Sequence, residues 1–133
     1  MNKPAILIVC DDNEVYWHTD LRDYLIPFGE VVFSDEQHIP ERVGQPFRLV
    51  IVDTENIENM PGLVRSLRLA DEEAQIVVLS AVPTWKAARA AFEAGADDFY
   101  RKRFDPQAMM EYLKPYLTAS GPRKKSQWKK DLP

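Results

Sequence analysis

Three short apolar runs, each followed by a polar or acidic residue, place the strongest constraint on how this chain folds. They are residues 6–10 before Asp11, residues 49–52 before Asp53, and residues 76–79 before Ser80. Short runs rich in β-branched residues are typical of interior strands in a parallel sheet. Ligands bind outside the carboxyl ends of strands in open parallel sheets, so we expect Asp11, Asp53 and Ser80 to meet in one crevice.

Helical patterns separate these strands along the chain. Apolar residues at helical spacing predict helices over residues 15–28, 63–70, 84–94 and 106–117, and two further strands are predicted over residues 31–33 and 98–101. Pro40 and Gly44 limit the segment between them to a short or irregular helix, because proline is poorly tolerated inside helices. This alternation predicts five βα units, which form a parallel sheet with helices on both faces.

The composition fits one globular domain. The 133 residues are 45% hydrophobic, and no apolar run approaches the roughly 20 residues that a membrane helix needs. No signal-peptide pattern opens the chain, so we expect a cytoplasmic protein without membrane contact. The single cysteine, Cys10, excludes an internal disulfide. His18 and His38 lack zinc-site spacing, and we expect surface or helix-packing roles for both.

Charge is unevenly distributed along the chain. Residues 1–117 carry 12 Lys/Arg and 20 Asp/Glu, a net charge of −8, whereas residues 118–133 carry five Lys/Arg and one Asp, a net charge of +4. A nucleic-acid surface needs a basic face, so the acidic body argues against nucleic-acid binding by this domain. Residues 118–133 have no apolar period, which predicts a basic extended tail or a truncated linker, mobile unless a partner orders it.

Four motifs, in this order, resemble the receiver domain of two-component response regulators. They are residues 6–9 followed by acids, residues 49–53, Val78-Leu79-Ser80-Ala81, and the most specific one, Gly95-Ala96-Asp97-Asp98-Phe99-Tyr100-Arg101-Lys102. The 42 positions between Asp11 and Asp53, and the 22 between Ser80 and Lys102, are also similar to the family's spacing. The resemblance implies a flavodoxin-like (βα)5 fold, with a doubly wound five-stranded parallel sheet, over residues 1–117.

The resemblance also implies a phosphorylation site at the carboxyl edge of the sheet. Asp53 is similar to the family's phosphoacceptor, Lys102 to the lysine that neutralises a phosphoryl oxygen, and Ser80 to the hydroxyl that binds another. Phosphoryl transfer depends mainly on positioning and charge neutralisation, which such groups supply. Ser80 and Phe99 are similar to the family's switch residues, although Phe99 is equally consistent with a strand aromatic packed on the last helix.

A metal site is implied beside the phosphoacceptor. Mg²⁺ favours octahedral oxygen coordination by one or two carboxylates, a phosphate and waters. By resemblance, Asp11, Asp53 and the backbone carbonyl of Glu55 would coordinate Mg²⁺, and Asp12 would hold a coordinated water. The cation would also offset the mutual repulsion of these acids.

The implied function is Mg²⁺-dependent phosphorylation of Asp53 in a phosphorelay, with a histidine kinase or a phosphotransfer protein as partner. The chain would not be an enzyme, beyond assisting its own phosphorylation and dephosphorylation. Phosphorylation would change the surface of the fourth predicted helix (residues 84–94), the fifth strand and the last helix. Through that surface we expect a partner to bind or a homodimer to form.

Three residues depart from the family pattern. Cys10 stands where the first acid of the pair is common, and Ile57 and Arg103 stand where prolines are usual. The proline after the lysine commonly follows a cis bond. A cis bond before a residue other than proline costs about 2.5–4 kcal/mol, so the Lys102-Arg103 bond is either trans or strained. These departures support a second hypothesis, a degenerate receiver that acts as a protein-interaction module without phosphorylation.

Two other functions fit the sequence poorly. Phosphatases that use a strand-end aspartate normally have a second acid two residues later, and at that position this chain has only Glu55. A flavin site needs a loop that binds phosphate after the first strand, and the acids among residues 11–14 would repel a phosphate.

Overall fold

The computed structural model describes residues 5–11, 15–38, 47–118 and 126–131. Within them, five strands form one parallel sheet in the order β2-β1-β3-β4-β5. The strands are β1 (Ala5–Val9), β2 (Glu30–Ser34), β3 (Phe47–Asp53), β4 (Gln75–Ser80) and β5 (Asp98–Arg101). The flavodoxin-like, doubly wound topology predicted from the sequence is therefore confirmed. The strand order reverses between β1 and β3, which is where such sheets form a crevice.

Helices cover both faces of this sheet. They are α1 (Val15–Leu25), α2 (Met60–Ala70), α3 (Trp85–Ala94), α4 (Pro106–Leu117) and the short α5 (Gln127–Lys130), with a 3-10 helix over Ile26–Phe28. The side chains of Asn59, Thr84 and Asp105 accept backbone N–H groups in the first turns of α2, α3 and α4, which satisfies donors that helices leave open. The weak helix predicted between Pro40 and Gly44 lies outside the described residues.

The core has two layers, one on each face of the sheet, because successive strand side chains point to opposite faces. One layer joins the sheet to α1 and α4 and includes Ile6, Ile8, Leu21, Leu25, Leu49, Ile51, Tyr100 and Leu113. The other joins the sheet to α2 and α3 and includes Leu7, Val9, Val50, Val52, Val64, Val78, Ala88 and Phe99. Burial on both faces explains why the central strands are apolar throughout rather than alternating.

Arg68, near the end of α2, ties together several chain segments at the amino edge of the sheet. Its guanidinium donates to the carbonyls of Gly95 at 2.8 Å, Ala74 at 2.7 Å and Glu72 at 2.8 Å. It also forms a 2.8 Å ion pair with Asp97, whose carboxylate accepts the backbone N–H of Ile76 at 2.7 Å. Arg68 thereby links α2, the start of β4, and the turn between α3 and β5.

The last described segment packs on the body. In residues 126–131, α5 contacts β5, and the Trp128 ring lies 4.8 Å from Trp85 and 5.8 Å from Phe99, measured between centroids. We expected an extended tail, and for these six residues that expectation was wrong. The indole of Trp128 packs on an aromatic surface formed by α3 and β5. A single aromatic contact of this kind leaves no regular spacing of apolar residues in the sequence. The assignment of residues 118–133 as a tail or truncated linker, with the domain boundary before it, stays a prediction.

Among the described residues, none of the helices is both long and apolar enough to cross a bilayer.

Replacing Arg68 with Lys should lower the free energy of unfolding by roughly 2 kcal/mol. A lysine ammonium cannot reach all of these acceptors at once, and each lost hydrogen bond contributes about 1 kcal/mol. Urea unfolding measures the difference. The matched control is Arg65→Lys, at an exposed position of the same helix, which should change stability by less than about 0.5 kcal/mol. Equal effects of the two substitutions would contradict this structural role for Arg68.

Candidate functional site

The candidate site surrounds the carboxyl end of β3. Asp53 is the last residue of this strand and is only 1% exposed. It lies opposite Leu79 in the register of β3 and β4, so Ser80 extends one residue beyond it, and Asp11 follows β1 on the other side. As predicted, the three strand ends bring Asp11, Asp53 and Ser80 to one edge of the sheet.

Three groups bind the Asp53 carboxylate, namely Lys102, the backbone of Glu55 and His18. Lys102 Nζ forms an ion pair with Asp53 Oδ2 at 2.9 Å. The backbone N–H of Glu55 donates to Asp53 Oδ1 at 3.2 Å. The loop after β3 turns at Asn56, which has a positive φ of 63°, a conformation that asparagine tolerates better than most residues. In this loop the backbone of Glu55 stays within hydrogen-bond distance of the Asp53 carboxylate.

Lys102 is a buried cation, with 3% of its surface exposed. Its backbone N–H donates to the carbonyl of Ser80 at 2.8 Å, which continues the pairing of β4 and β5 and fixes the start of its side chain. Besides Asp53, the ammonium contacts Glu55 Oε2 at 3.1 Å. It also lies 4.6 Å from the centre of the Trp17 ring, close enough for a cation–π contact. The ring of Phe104 lies 5.1 Å from the ammonium as well, so two carboxylates and two aromatic rings compensate for its loss of water.

His18 is a site residue that the sequence analysis missed. Its Nε2 lies 2.8 Å from Asp53 Oδ2, the same oxygen that pairs with Lys102, and the residue is 4% exposed. We expected His18 to be a surface or packing residue. A helix turns by about 100° per residue, so a residue one position earlier or later in α1 would point in another direction. In the sequence, the one indication of a site role for His18 was its position near the start of the helix that follows Asp11.

Trp17 connects α1 to the segment that carries the lysine. Its indole Nε1 donates to the carbonyl of Arg103 at 2.8 Å, and its ring meets that of His18 edge to face at 5.1 Å. The described part of the chain contains no cis peptide bond, so of the two alternatives for the Lys102-Arg103 bond, the trans form is correct. The Trp17 hydrogen bond holds this segment where the family pattern has a proline.

The environment of Asp53 favours its ionised form. Burial alone raises the pKa of this carboxyl, because it disfavours the charged form. The hydrogen bonds from His18 and Lys102, the charge of Lys102 and the Glu55 N–H act in the opposite direction and together prevail. The pKa of Asp53 is therefore below its ordinary value, and the carboxylate is ionised at neutral pH.

The described residues fit a magnesium ion in donor chemistry. Asp11 and Asp53 bring two carboxylates to the same edge, and the Glu55 carbonyl belongs to the loop that directly follows Asp53. Mg²⁺ needs only one or two carboxylates, since waters and phosphate complete its shell. No group of three or more Asp, Glu, His or Cys within the described ranges could bind a metal by itself. Asp12 lies outside those ranges.

Phe99 lies within β5, before the carboxyl edge of the sheet where Asp53 and Lys102 meet. Its side chain is fully buried in the layer that contains α2 and α3, and its ring meets Trp128 edge to face at 5.8 Å. The alternative that it packs on the last helix of the body, α4, does not apply, because Tyr100 takes that place in the other layer. The switch roles of Phe99 and of the buried Ser80 stay predictions.

Comparisons with known proteins relate this geometry to one fold. No protein-family model matches the chain, and no curated protein sequence matches it. Solved structures do match. A response regulator from Thermotoga maritima is 24% identical, with a TM-score of 0.71, over 86% of this chain and 98% of that chain. The non-phosphorylated HemR receiver domain from Leptospira biflexa is 21% identical, with a TM-score of 0.73, over 92% and 100%.

A third similar structure carries a modification. It is a response regulator protein from Burkholderia pseudomallei with a phosphorylated aspartic acid, a calcium ion and citrate, 21% identical with a TM-score of 0.68, over 87% of this chain and 67% of that chain. At these identities the likeness establishes the fold. The chain has the fold of a response-regulator receiver domain, and the resemblance found in the sequence is confirmed at that level.

Replacing His18 with Ala should raise the pKa of Asp53, because the variant loses a hydrogen bond that favours the carboxylate. Ionised Asp53 contributes stability above its unfolded pKa of about 3.9, and the contribution is lost as the pH falls through the lower folded pKa. The variant should therefore retain less of this stability at neutral pH. A carbon-13 NMR titration of the Asp53 carboxyl measures the shift.

The control for this titration is His38→Ala. His38 Nδ1 lies 2.7 Å from Asp35 Oδ1 and lowers the pKa of that exposed carboxyl through the hydrogen bond between them. This substitution should raise the pKa of Asp35 and leave that of Asp53 unchanged. An unchanged Asp53 pKa in His18→Ala would show that the 2.8 Å contact is not maintained in solution.

Proposed function

We propose that this chain is a phosphoacceptor domain of two-component signalling, in which Asp53 accepts a phosphoryl group from a histidine kinase or a phosphotransfer protein. The observation that carries the proposal is the ion pair between the buried Asp53 and the buried Lys102 at the carboxyl edge of a receiver fold. The phosphorylated aspartic acid of the similar Burkholderia protein supports it. In this role the chain transmits a signal rather than turning over a substrate.

The chemistry follows from the charges at the site. A carboxylate oxygen of Asp53 attacks the phosphorus in line with the leaving group, and negative charge accumulates on the three phosphoryl oxygens. Lys102 neutralises part of that charge, because its ammonium already lies 2.9 Å from Asp53 Oδ2. Ser80, at the end of the adjacent β4, is the candidate to donate a hydrogen bond to the bound phosphoryl group.

Mg²⁺ is the cation that we propose for this site. The carboxylates of Asp11 and Asp53 and the backbone carbonyl of Glu55 would bind it, with Asp12 holding a coordinated water. When bound, Mg²⁺ would neutralise charge on the incoming phosphoryl group. The calcium ion of the similar Burkholderia structure supports a divalent cation in such proteins.

Phosphorylation would then be read out on the face formed by α3, β5 and α4, through Ser80 and Phe99. Ser80 pairs with Arg101 and Val78 with Phe99 in the register of β4 and β5, so both switch candidates belong to one strand pair. A partner or a second copy would bind the altered face. A cytoplasmic location, where phosphodonor proteins are found, belongs to the same proposal.

A second candidate function is a protein-interaction module that works without phosphorylation. The observation that favours it is His18, whose Nε2 contacts Asp53 Oδ2 at 2.8 Å. A phosphoryl group arriving at that oxygen would need the space that the imidazole fills. Lys102 also divides its contacts between Asp53 and Glu55. In this candidate the ion pairs hold the edge of the sheet and transfer no phosphoryl group.

Acetyl phosphate should add one phosphoryl group to the wild-type chain in the presence of Mg²⁺, and Asp53→Asn should abolish the addition because an amide is a poor nucleophile. Intact-mass spectrometry with and without Mg²⁺ measures the modification. The control is Asp23→Asn, at an exposed position of α1, which should be modified like the wild type. Equal modification of Asp53→Asn would refute Asp53 as the acceptor.

His18→Ala should accelerate the modification by at least about tenfold, because a hydrogen bond to a charged group contributes roughly 1.5–3 kcal/mol and must be broken before attack. The rate of mass gain under limiting acetyl phosphate measures the effect. Modification of the variant alone would support the second candidate for the native chain. A wild-type rate equal to that of the variant would show that His18 does not obstruct the phosphoacceptor.

A further inference from the structure

The C-terminal segment binds a surface formed by α3 and β5. We call this the α3–β5 surface and define it by Trp85 on α3 together with Asp97, Asp98 and Phe99 at β5. Trp128 provides the aromatic contact, with its ring 4.8 Å from that of Trp85 and 5.8 Å from that of Phe99, both edge to face. Such pairs contribute beyond simple burial and fix the direction of approach.

Asp98 supplies the polar anchor of this surface. It is 1% exposed, and Ser126, which it binds, is 6% exposed. The backbone N–H of Ser126 donates to Asp98 Oδ2 at 3.1 Å, and its hydroxyl donates to Asp98 Oδ1. A buried carboxylate needs hydrogen-bond donors to offset its lost hydration, and the C-terminal segment supplies two of them.

The third contact is made by a charged side chain, that of Lys129. The ammonium of Lys129 donates to the backbone carbonyl of Asp97, and the amide N–H of Lys129 donates to Ser126 Oγ at 3.2 Å. Residues 118–133 have a net charge of +4 and residues 1–117 a net charge of −8, so the segment is attracted to the body over a longer range as well. The surface therefore recognises a serine, an aromatic two residues later, and a lysine after it.

The conformation of this segment depends on its contacts with the body. The helix α5 has four residues, far fewer than the roughly 12–15 that an isolated helix needs in water, so contacts with the body hold its conformation. Seven residues separate Thr118 from Ser126. A short connection of this kind gives an effective concentration of about 1 mM, so a segment with a Kd near 100 μM would be docked about 90% of the time.

We propose that residues 126–131 are an intramolecular ligand of the α3–β5 surface, and that a protein segment with the same serine–aromatic–lysine pattern must displace them to bind there. Docking in the unphosphorylated chain rests on these contacts alone. Its role as a block on the output face rests on the proposed function, because that face includes α3, β5 and Phe99. The segment thereby sets a threshold that an output partner has to exceed.

The test uses the full chain and a fluorescein-labelled peptide of residues 122–133. Trp128→Ala removes the aromatic anchor and leaves the surface open, so the peptide should bind this variant about tenfold or more tightly than the wild type, whose own segment competes. Lys129→Ala is a second open variant in case Trp128→Ala fails to fold. Lys130→Ala, at an exposed position of α5, is the control and should match the wild type.

Fluorescence anisotropy of the labelled peptide measures binding. A peptide that itself carries Trp128→Ala should not bind any of these proteins. Equal binding of the wild-type peptide to the wild-type and both open variants, or to none of them, would overturn the proposal. The proposal would also be overturned if the peptide bound the open variants while the wild type formed a dimer by exchanging C-terminal segments. The segment would then act between chains.

A second arm separates this inference from the proposed function. Acetyl phosphate and Mg²⁺ should increase peptide binding to the wild type but not to Asp53→Asn, if phosphorylation loosens the docked segment. Tight peptide binding to the open variants with no phosphoryl mass on Asp53 would leave the docking established and refute the phosphoacceptor role. Phosphorylation of Asp53 without any difference in peptide binding between the wild type and the open variants would support the phosphoacceptor role and refute the docking.

Discussion

The buried ion pair between Asp53 and Lys102 is the interaction on which the rest of the site depends. Two charges taken out of water are costly to bury, and removing one partner of such a pair typically costs about 3–5 kcal/mol because the other is left uncompensated. The surrounding contacts offset part of this desolvation cost. Glu55 and the Trp17 ring meet the ammonium, while His18 and the Glu55 N–H meet the carboxylate. The ends of β3 and β5 are held together by charge across β4.

His18 changes what this ion pair means for function. A carboxylate that binds a lysine and a histidine through one oxygen is strongly stabilised as an anion, but it is also partly covered. In the proposed function, the same contact would favour the ionised form of Asp53 and oppose its attack on a phosphoryl donor. Whether the chain acts as a switch or as a fixed module depends on the balance of these two effects, which one side chain on α1 controls.

Much of the fold was predictable from the sequence because its signals are local. Buried strands ending on Asp53 and Ser80 were visible as apolar runs. Thr84 and Asp105 marked helix starts through side chains that cap backbone N–H groups, and Gly95 marked a helix end through its left-handed backbone. His18 was not predictable, because the side of α1 that faces β3 depends on helix rotation. The docking of Trp128 depends on Trp85 and Phe99, which lie 43 and 29 positions earlier in the sequence, and no local pattern reports such a contact.

The position of α5 against β5 also bears on the behaviour of the chain in concentrated solution. β5 is an edge strand of the sheet, and edge strands offer unpaired backbone groups to other chains, which is a route to aggregation. The short helix α5 contacts this strand, and its last turn carries two lysines, Lys129 and Lys130. Proteolysis between α4 and α5 would therefore reduce solubility, since it would remove a positively charged segment that contacts the edge strand and would uncover the aromatic side chains of Trp85 and Phe99.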